Sequence, residues 1–372
     1  MVIRGWPLEG STANAPRDKA GSQANGRWPA SFFVLLLAAA AASAGQTAIL
    51  AFLPALVDPA RGALSSSAHD FHVASLTAVH PLAALLAAPL WGWIADRVDY
   101  RAMLRAALVI LALVTAPIGL VGLPELYALR LVAGMASAAI IPLGLLCASF
   151  AASGRADQAP VGAALCAVRL PRWCAPCIDG GDLPAPTLGA TLILLFITIV
   201  AGGGLAAMHV NLLVTRSAIS LSREEIAWML SLCGLGMLAA QIFHAKLDWL
   251  VTVPRRLAGL TLGLLAVALF MFPVAASMAE LSGIIVAAGW SSATLRLVTS
   301  FWISGGGAPS GVKLGFQHSA ASIGQALAPL AIAIVAPGAQ PLVLWGIGGL
   351  SLALLVSLPL AWRPPAIVKS SA

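Results

Sequence analysis

Ten stretches of this chain are apolar over the length a helix needs to cross a bilayer, about 20 residues. They lie near 31–56, 73–94, 103–122, 126–152, 188–212, 224–243, 257–275, 277–299, 313–336 and 341–362. The division inside 257–299 rests on Pro273 and the polar stretch Ser277 to Glu280. Composition agrees with a lipid-solvated chain: 60% of the 372 residues are hydrophobic and 9% charged, with mean hydropathy +0.93. A soluble domain carries about 25% charged residues. Much of the apolar content is Ala, Leu, Val and Gly, and small residues let transmembrane helices approach closely where lipid supplies no force to drive them together. An all-α polytopic membrane protein is expected.

The net charge of +7 does not point to nucleic acid, because the basic residues form no face with interleaved aromatics. They fall in the breaks between apolar runs, as the positive-inside rule requires of cytoplasmic loops. One set of breaks holds Arg97, Arg101 and Arg105; Arg155, Arg169 and Arg172; Lys246, Arg255 and Arg256; Lys313; and Arg363 with Lys369. The alternate breaks hold Arg61, and Arg216 and Arg223 offset by Glu224 and Glu225. Both termini are therefore expected in the cytoplasm, in a bacterial-type inner membrane. The first run is longer than the apolar core of a signal peptide, about 7–15 residues, and reads as a retained span after a polar tail. Five cysteines, an odd number, predict no structural disulfide.

Residues 153–187 hold five prolines and no run long enough to cross. The expected organisation is a cytoplasmic tail at 1–30, a four-span bundle at 31–152, a cytoplasmic linker at 153–187, a six-span bundle at 188–362 and a tail at 363–372.

Gly92-Trp-Ile-Ala-Asp96-Arg97-Val-Asp-Tyr-Arg101 directly follows the second run. It resembles the G-x-x-x-D-R-x-G-R-R/K signature of the major facilitator superfamily, through Gly92, Asp96, Arg97 and Arg101, with Asp99 and Ala102 departing from the pattern. Arg130-Leu-Val-Ala-Gly134 in the fourth run resembles the family's R-x-x-x-G motif. His244-Ala-Lys-Leu-Asp248 followed by Arg255 and Arg256 echoes the first motif after the second span of the second block, with His for Gly. Two related halves are the organisation of facilitator-type transporters. The ninth run, Gly315 to Pro329 with Gly324 and Gln325, resembles a Gly- and Pro-bearing helix of drug exporters.

The resemblance implies a proton-coupled exporter of small amphipathic molecules, of drug or siderophore class, with Gly92, Asp96, Arg97 and Arg101 as a conformational latch and Arg130 and Gly134 in coupling. Family members usually have twelve helices, so the fifth and sixth are expected to be missing here. The alternatives are a degenerate, non-transporting protein and an uptake symporter. From the residues themselves, His80 is a titratable candidate, with a hydrogen-bonded structural histidine as the competing reading. The mid-span Gln46, Thr47, Gln241 and Gln325 are candidates to line a cavity, as polar residues in spans usually do. Asp248, Arg255 and Arg256 are the repeat-motif candidates. For Arg130 the competing reading is a side chain that snorkels to the surface.

Trp173-Cys174-Ala175-Pro176-Cys177 looks like a thioredoxin active site but has no following helix or surrounding βαβ pattern. Neither a zinc site nor a Walker A sequence is present. No enzyme, metal or cofactor is expected; the expected partners are a small-molecule substrate, protons and the lipid bilayer.

Overall fold

The computed structural model describes residues 45–57, 65–95, 97–98, 100–152, 187–214, 221–245, 253–304, 311–335 and 338–361. The tails at 1–30 and 363–372 and the linker at 153–186 lie outside the described residues. Among the described residues, ten helices fall in the ten expected segments: α1 (Gly45–Val57), α2 (Ser66–Ala95), α3 (Tyr100–Thr115), α4 (Leu123–Ala152), α5 (Leu188–Val214), α6 (Arg223–Ala245), α7 (Pro254–Met271), α8 (Met278–Ser304), α9 (Gly311–Ile334) and α10 (Gln340–Ala361). In six of them, α2, α4, α5, α7, α8 and α10, the described residues include a window long and apolar enough to cross a bilayer. Lipid offers the backbone no hydrogen bonds, so long apolar runs satisfy their own N–H and C=O groups as helices.

Side-chain caps set several helix starts. Ser222 Oγ accepts from the Glu225 N–H at 3.2 Å while the Glu225 carboxylate accepts from the Ser222 N–H at 2.7 Å. This reciprocal pair satisfies two of the amides left free at a helix start. Ser277 and Glu280 repeat the device at α8: Ser277 Oγ takes the Glu280 N–H, and the carboxylate reaches back to Ala276 N. The break within 257–299 thus falls where Pro273 and Ser277 to Glu280 place it. Pro273 sits in a 3-10 turn, Phe272–Val274, between α7 and α8.

The bundle is apolar outside as well as inside. Leu120 is 90% exposed, Val356 80% and Leu86 79%. A soluble monomer would not scatter such side chains over its helices; lipid covers them without cost. The main core joins the two blocks, bringing Leu53, Val73 and Leu76 together with Ile197, Met208, Met229, Leu262 and Leu295. A smaller core holds α3 against α4 through Leu104, Leu111, Ala136 and Ile140.

The helix at the centre is α9, which packs most extensively on α2 and next on α5. Small residues on both of its faces permit this. A methyl group added at Gly315 would stand 2.6 Å from Ala88 O on α2, and one at Gly324 would collide with the backbone of Ile199 and Gly203 on α5. Backbone-to-backbone contact of this kind is how helices associate in membranes. Gly324→Leu should therefore abolish a monodisperse, folded species in detergent size-exclusion chromatography. Gly263→Ala, where an added Cβ meets nothing within 4 Å, should leave that peak intact and stabilise α7 by about 0.5–1 kcal/mol through helix propensity, read as a small rise in thermal midpoint.

Candidate functional site

The R-x-x-x-G spacing of α4 puts Arg130 and Gly134 one turn apart on a single helix face. That face meets α2. Gly134 lies against the His80 carbonyl and Ala83, where any side chain would clash with the backbone. One turn earlier on each helix, Arg130 Nε donates to Leu76 O at 3.3 Å and Nη1 donates to Gln46 Oε1 of α1 at 3.1 Å. Arg130 is 4% exposed, so it does not snorkel. An arginine deep in a span costs about 2.5–3.5 kcal/mol on insertion scales, and here a carbonyl and an amide oxygen offset that cost without a carboxylate. His80 Nε2 and Ser137 Oγ are 3.1 Å apart, and the serine hydroxyl also reaches Gly134 O at 3.0 Å. The structure thus gathers Arg130, Gly134, His80 and Gln46, with Thr47 beside it on α1, from 84 residues of separation into one polar knot.

A second polar group lies across the junction with α9. Ser319 Oγ donates to Leu85 O at 2.8 Å, so His318 lies near the level of Leu85, five residues along α2 from His80. His318 and Arg130 are the electrostatic neighbours of His80, and Arg296 of α8 is that of His318. Gln317 fixes α9 to α8: its Nε2 donates to Arg296 O at 3.2 Å and Thr299 Oγ1 at 3.0 Å, and its Oε1 accepts from Ser300 Oγ at 2.7 Å. Arg296 Nε is buried without a hydrogen-bond partner. From one end of the bundle toward the other run Arg130, His80, His318 and Arg296, contributed by α4, α2, α9 and α8.

The remaining expected site residues lie elsewhere. Gly92 packs against the Gly311 backbone, where the end of α2 crosses the start of α9. Arg97 is exposed and capped onto its own helix, its Nη1 donating to Trp93 O at 2.8 Å and its guanidinium carbon 3.9 Å from the Trp93 ring centroid. A cation at a helix C-terminus complements the helix dipole. Asp96, Asp248 and the side chain of Arg101 lie outside the described residues. Arg255 and Arg256 are exposed at the start of α7, Gln241 is exposed on α6, and Gln325 is half-buried on α9. His244, which stands where the first motif has Gly92, is buried with Nε2 3.0 Å from Thr294 Oγ1. A cavity of about 760 Å³ between α2, α5, α9 and α10 is lined by Leu85, Phe196, Phe316 and Leu354, with only Ser319 and Ser357 as hydroxyls.

Arg296, Gln317 and His318 are not among the sequence-predicted site residues. Arg296 falls three residues inside the expected end of the span 277–299, and α8 continues to Ser304 and carries it inside. An arginine within an apolar run was the signal available.

Residues 29–160 match the sequence profile of the Major Facilitator Superfamily. No curated protein sequence matches the chain. Among solved structures, the crystal structure of the human organic anion transporter MFSD10 (TETRAN) matches with a TM-score of 0.65 at 17% identity, over 88% of this chain and 98% of that one. At that identity the likeness is one of fold. The matched stretch contains Gly92, Asp96, Arg97, Arg101, Arg130 and Gly134, and the fold likeness agrees with the expected all-α polytopic architecture: this is a multi-pass helical membrane protein with the fold of that transporter.

The knot predicts a charge-specific stability effect. Arg130→Gln should lower the thermal midpoint in detergent by roughly 2–5 °C, from loss of charged hydrogen bonds worth about 2 kcal/mol. Gln46→Glu should not lower it, because it sets a carboxylate within ion-pair distance of Arg130. A midpoint unmoved by Arg130→Gln, or a large fall in Gln46→Glu, would contradict this account.

Proposed function

We propose that the chain is a secondary transporter whose two helical blocks, meeting along α2 and α9, open a polar interior to the two sides of the membrane in turn. The observation that carries the reading is the interior line of Arg130, His80, His318 and Arg296 at that junction, of which Arg130 is buried and the others half-buried. Charged and titratable groups inside a membrane bundle are costly and mark solute or ion pathways. The close contact of Gly92 with Gly311 is the place where the blocks separate in the opposite state, and Gly92, Asp96, Arg97 and Arg101 act there as the latch. Asp248, Arg255 and Arg256 would be its counterpart in the second block.

The finer reading is proton-coupled export of small amphipathic molecules, with drugs and siderophores as the substrate types. Arg130 and His80 are the coupling groups, with Gly134 allowing their approach, and Gln46, Thr47, Gln241 and Gln325 are the cavity candidates. Export is assigned with both termini in the cytoplasm of a bacterial-type inner membrane. The solved neighbour named an organic anion transporter supports solute transport on this fold.

The test is vesicle transport. In inside-out vesicles holding an acid-inside gradient, addition of a substrate should dissipate the gradient in proportion to the amount of chain. Asp96→Asn should slow that flux by about tenfold, equivalent to about 1.4 kcal/mol, at unchanged membrane insertion. Folded chain that moves no member of a panel of hydroxamate siderophores, organic acids and amphipathic dyes would overturn transport. Substrate movement without any proton flux would overturn coupling alone.

A further inference from the structure

Among the described residues, every charge in the interior of the bundle has the same sign. Of the 14 acidic residues, the five within described helices, Asp70, Glu125, Glu224, Glu225 and Glu280, all lie within five residues of a helix start. Glu225 and Glu280 serve as caps there. The other nine lie outside the described helices. Arg130 and Arg296, in contrast, are inside α4 and α8. The two histidines between them are neutral or positive in either protonation state, so they add donors and never negative charge. Among the described residues, neither arginine has a carboxylate within ion-pair distance.

The two arginines are not equivalent. Arg130 is satisfied by Leu76 O and Gln46 Oε1 and needs nothing further to stay buried. Arg296 has its backbone carbonyl tied to Gln317 and Thr299, which fixes where the side chain starts, yet its Nε is out of reach of solvent and unpartnered. A guanidinium held at its root, with its Nε unpartnered among the described residues and His318 as an electrostatic neighbour, is suited to serve as a socket for an anion. The planar fork of five N–H donors matches a carboxylate or sulfonate in two parallel hydrogen bonds. The surroundings favour an amphipathic ligand, because near Arg296 and His318 the two helices carry Leu295, Val298, Leu314 and Ala321 together with Thr299, Ser300 and Gln317.

We propose that the solute is a small amphipathic organic anion whose carboxylate or sulfonate docks on Arg296 and His318, with His80 and Arg130 as the next station along the bundle. The assignment of binding stands on the socket alone; the onward station rests on the transport reading above.

Two xanthene dyes of similar size and opposite charge provide the test: 6-carboxyfluorescein as the anion and rhodamine 123 as the cation. The purified full chain is reconstituted in phosphatidylcholine vesicles, and dye binding by anisotropy and dye flux are measured in parallel. Carboxyfluorescein should bind saturably and rhodamine 123 should not. Arg296→Gln should weaken carboxyfluorescein binding by about tenfold or more, Arg296→Lys should weaken it less, and Lys313→Gln, an exposed cation at the start of α9, should leave it unchanged. Preference for rhodamine 123, or undiminished carboxyfluorescein binding in Arg296→Gln, would overturn the proposal. If Arg296→Gln does not survive solubilisation, dye preference in the native chain and the affinity of Arg296→Lys decide the matter. Binding that is competed away by phosphatidylglycerol would reassign the socket to a lipid headgroup and overturn the solute assignment. Binding without flux would sustain the anion socket and remove the transport reading; flux of rhodamine 123 alone would do the reverse.

Discussion

The approach of α9 to α2 on one side and α5 on the other is the contact on which the rest of the bundle depends. In lipid there is no hydrophobic gain from bringing two apolar helices together, so association relies on packing and on hydrogen bonds between helices. The α9 sequence meets that demand with Gly315, Gly324 and a run of Ala and Ser between them. Their lack of bulk lets Ser319 reach the backbone of α2 at 2.8 Å and lets the α5 backbone lie directly against Gly324. Because α9 belongs to the second block and α2 to the first, this contact also joins the blocks. Larger side chains would separate them and strand Arg130, His80 and His318 from one another.

Charge is distributed by the same economy. A carboxylate at the first turn of a helix meets free amides and the positive end of the helix dipole, and Glu225 and Glu280 are used there. Arg97 sits just past the opposite end of α2, over Trp93, Arg255, Arg256 and Lys313 lie exposed at helix starts, and Arg130 lies inside the bundle with carbonyl and amide partners. Among the described residues, Arg296 Nε is left there as a donor without an acceptor, and the proposed anion site rests on it.

The six-helix block is closed by pairs that avoid the α2–α9 seam: α6 on α8, and α7 on α8 and α10. The thioredoxin-like cysteine pair, Cys174 and Cys177, lies outside the described residues, and the site assembled here uses neither. The first block has α2, α3 and α4 packed together, with α1 attached through Gln46 to Arg130. That attachment explains why a polar residue is tolerated in an apolar helix.

Helix number, order and approximate limits were legible in the sequence, because an apolar run of bilayer length is a local property and lipid admits few alternatives. So was the α7–α8 break at Pro273, and the R-x-x-x-G spacing put Arg130 and Gly134 on one face of α4 by helix geometry alone. Three things required the tertiary structure. Arg130 is paired rather than snorkelled because Gln46, 84 residues away, presents an oxygen to it. Arg296 is interior because α8 continues past the point where its hydropathy falls. His318 belongs to the polar line because Gly315 and Ser319 set the register of α9 on α2. Each depends on the meeting of helices distant in the chain, and periodicity within one helix carries no information about its partner.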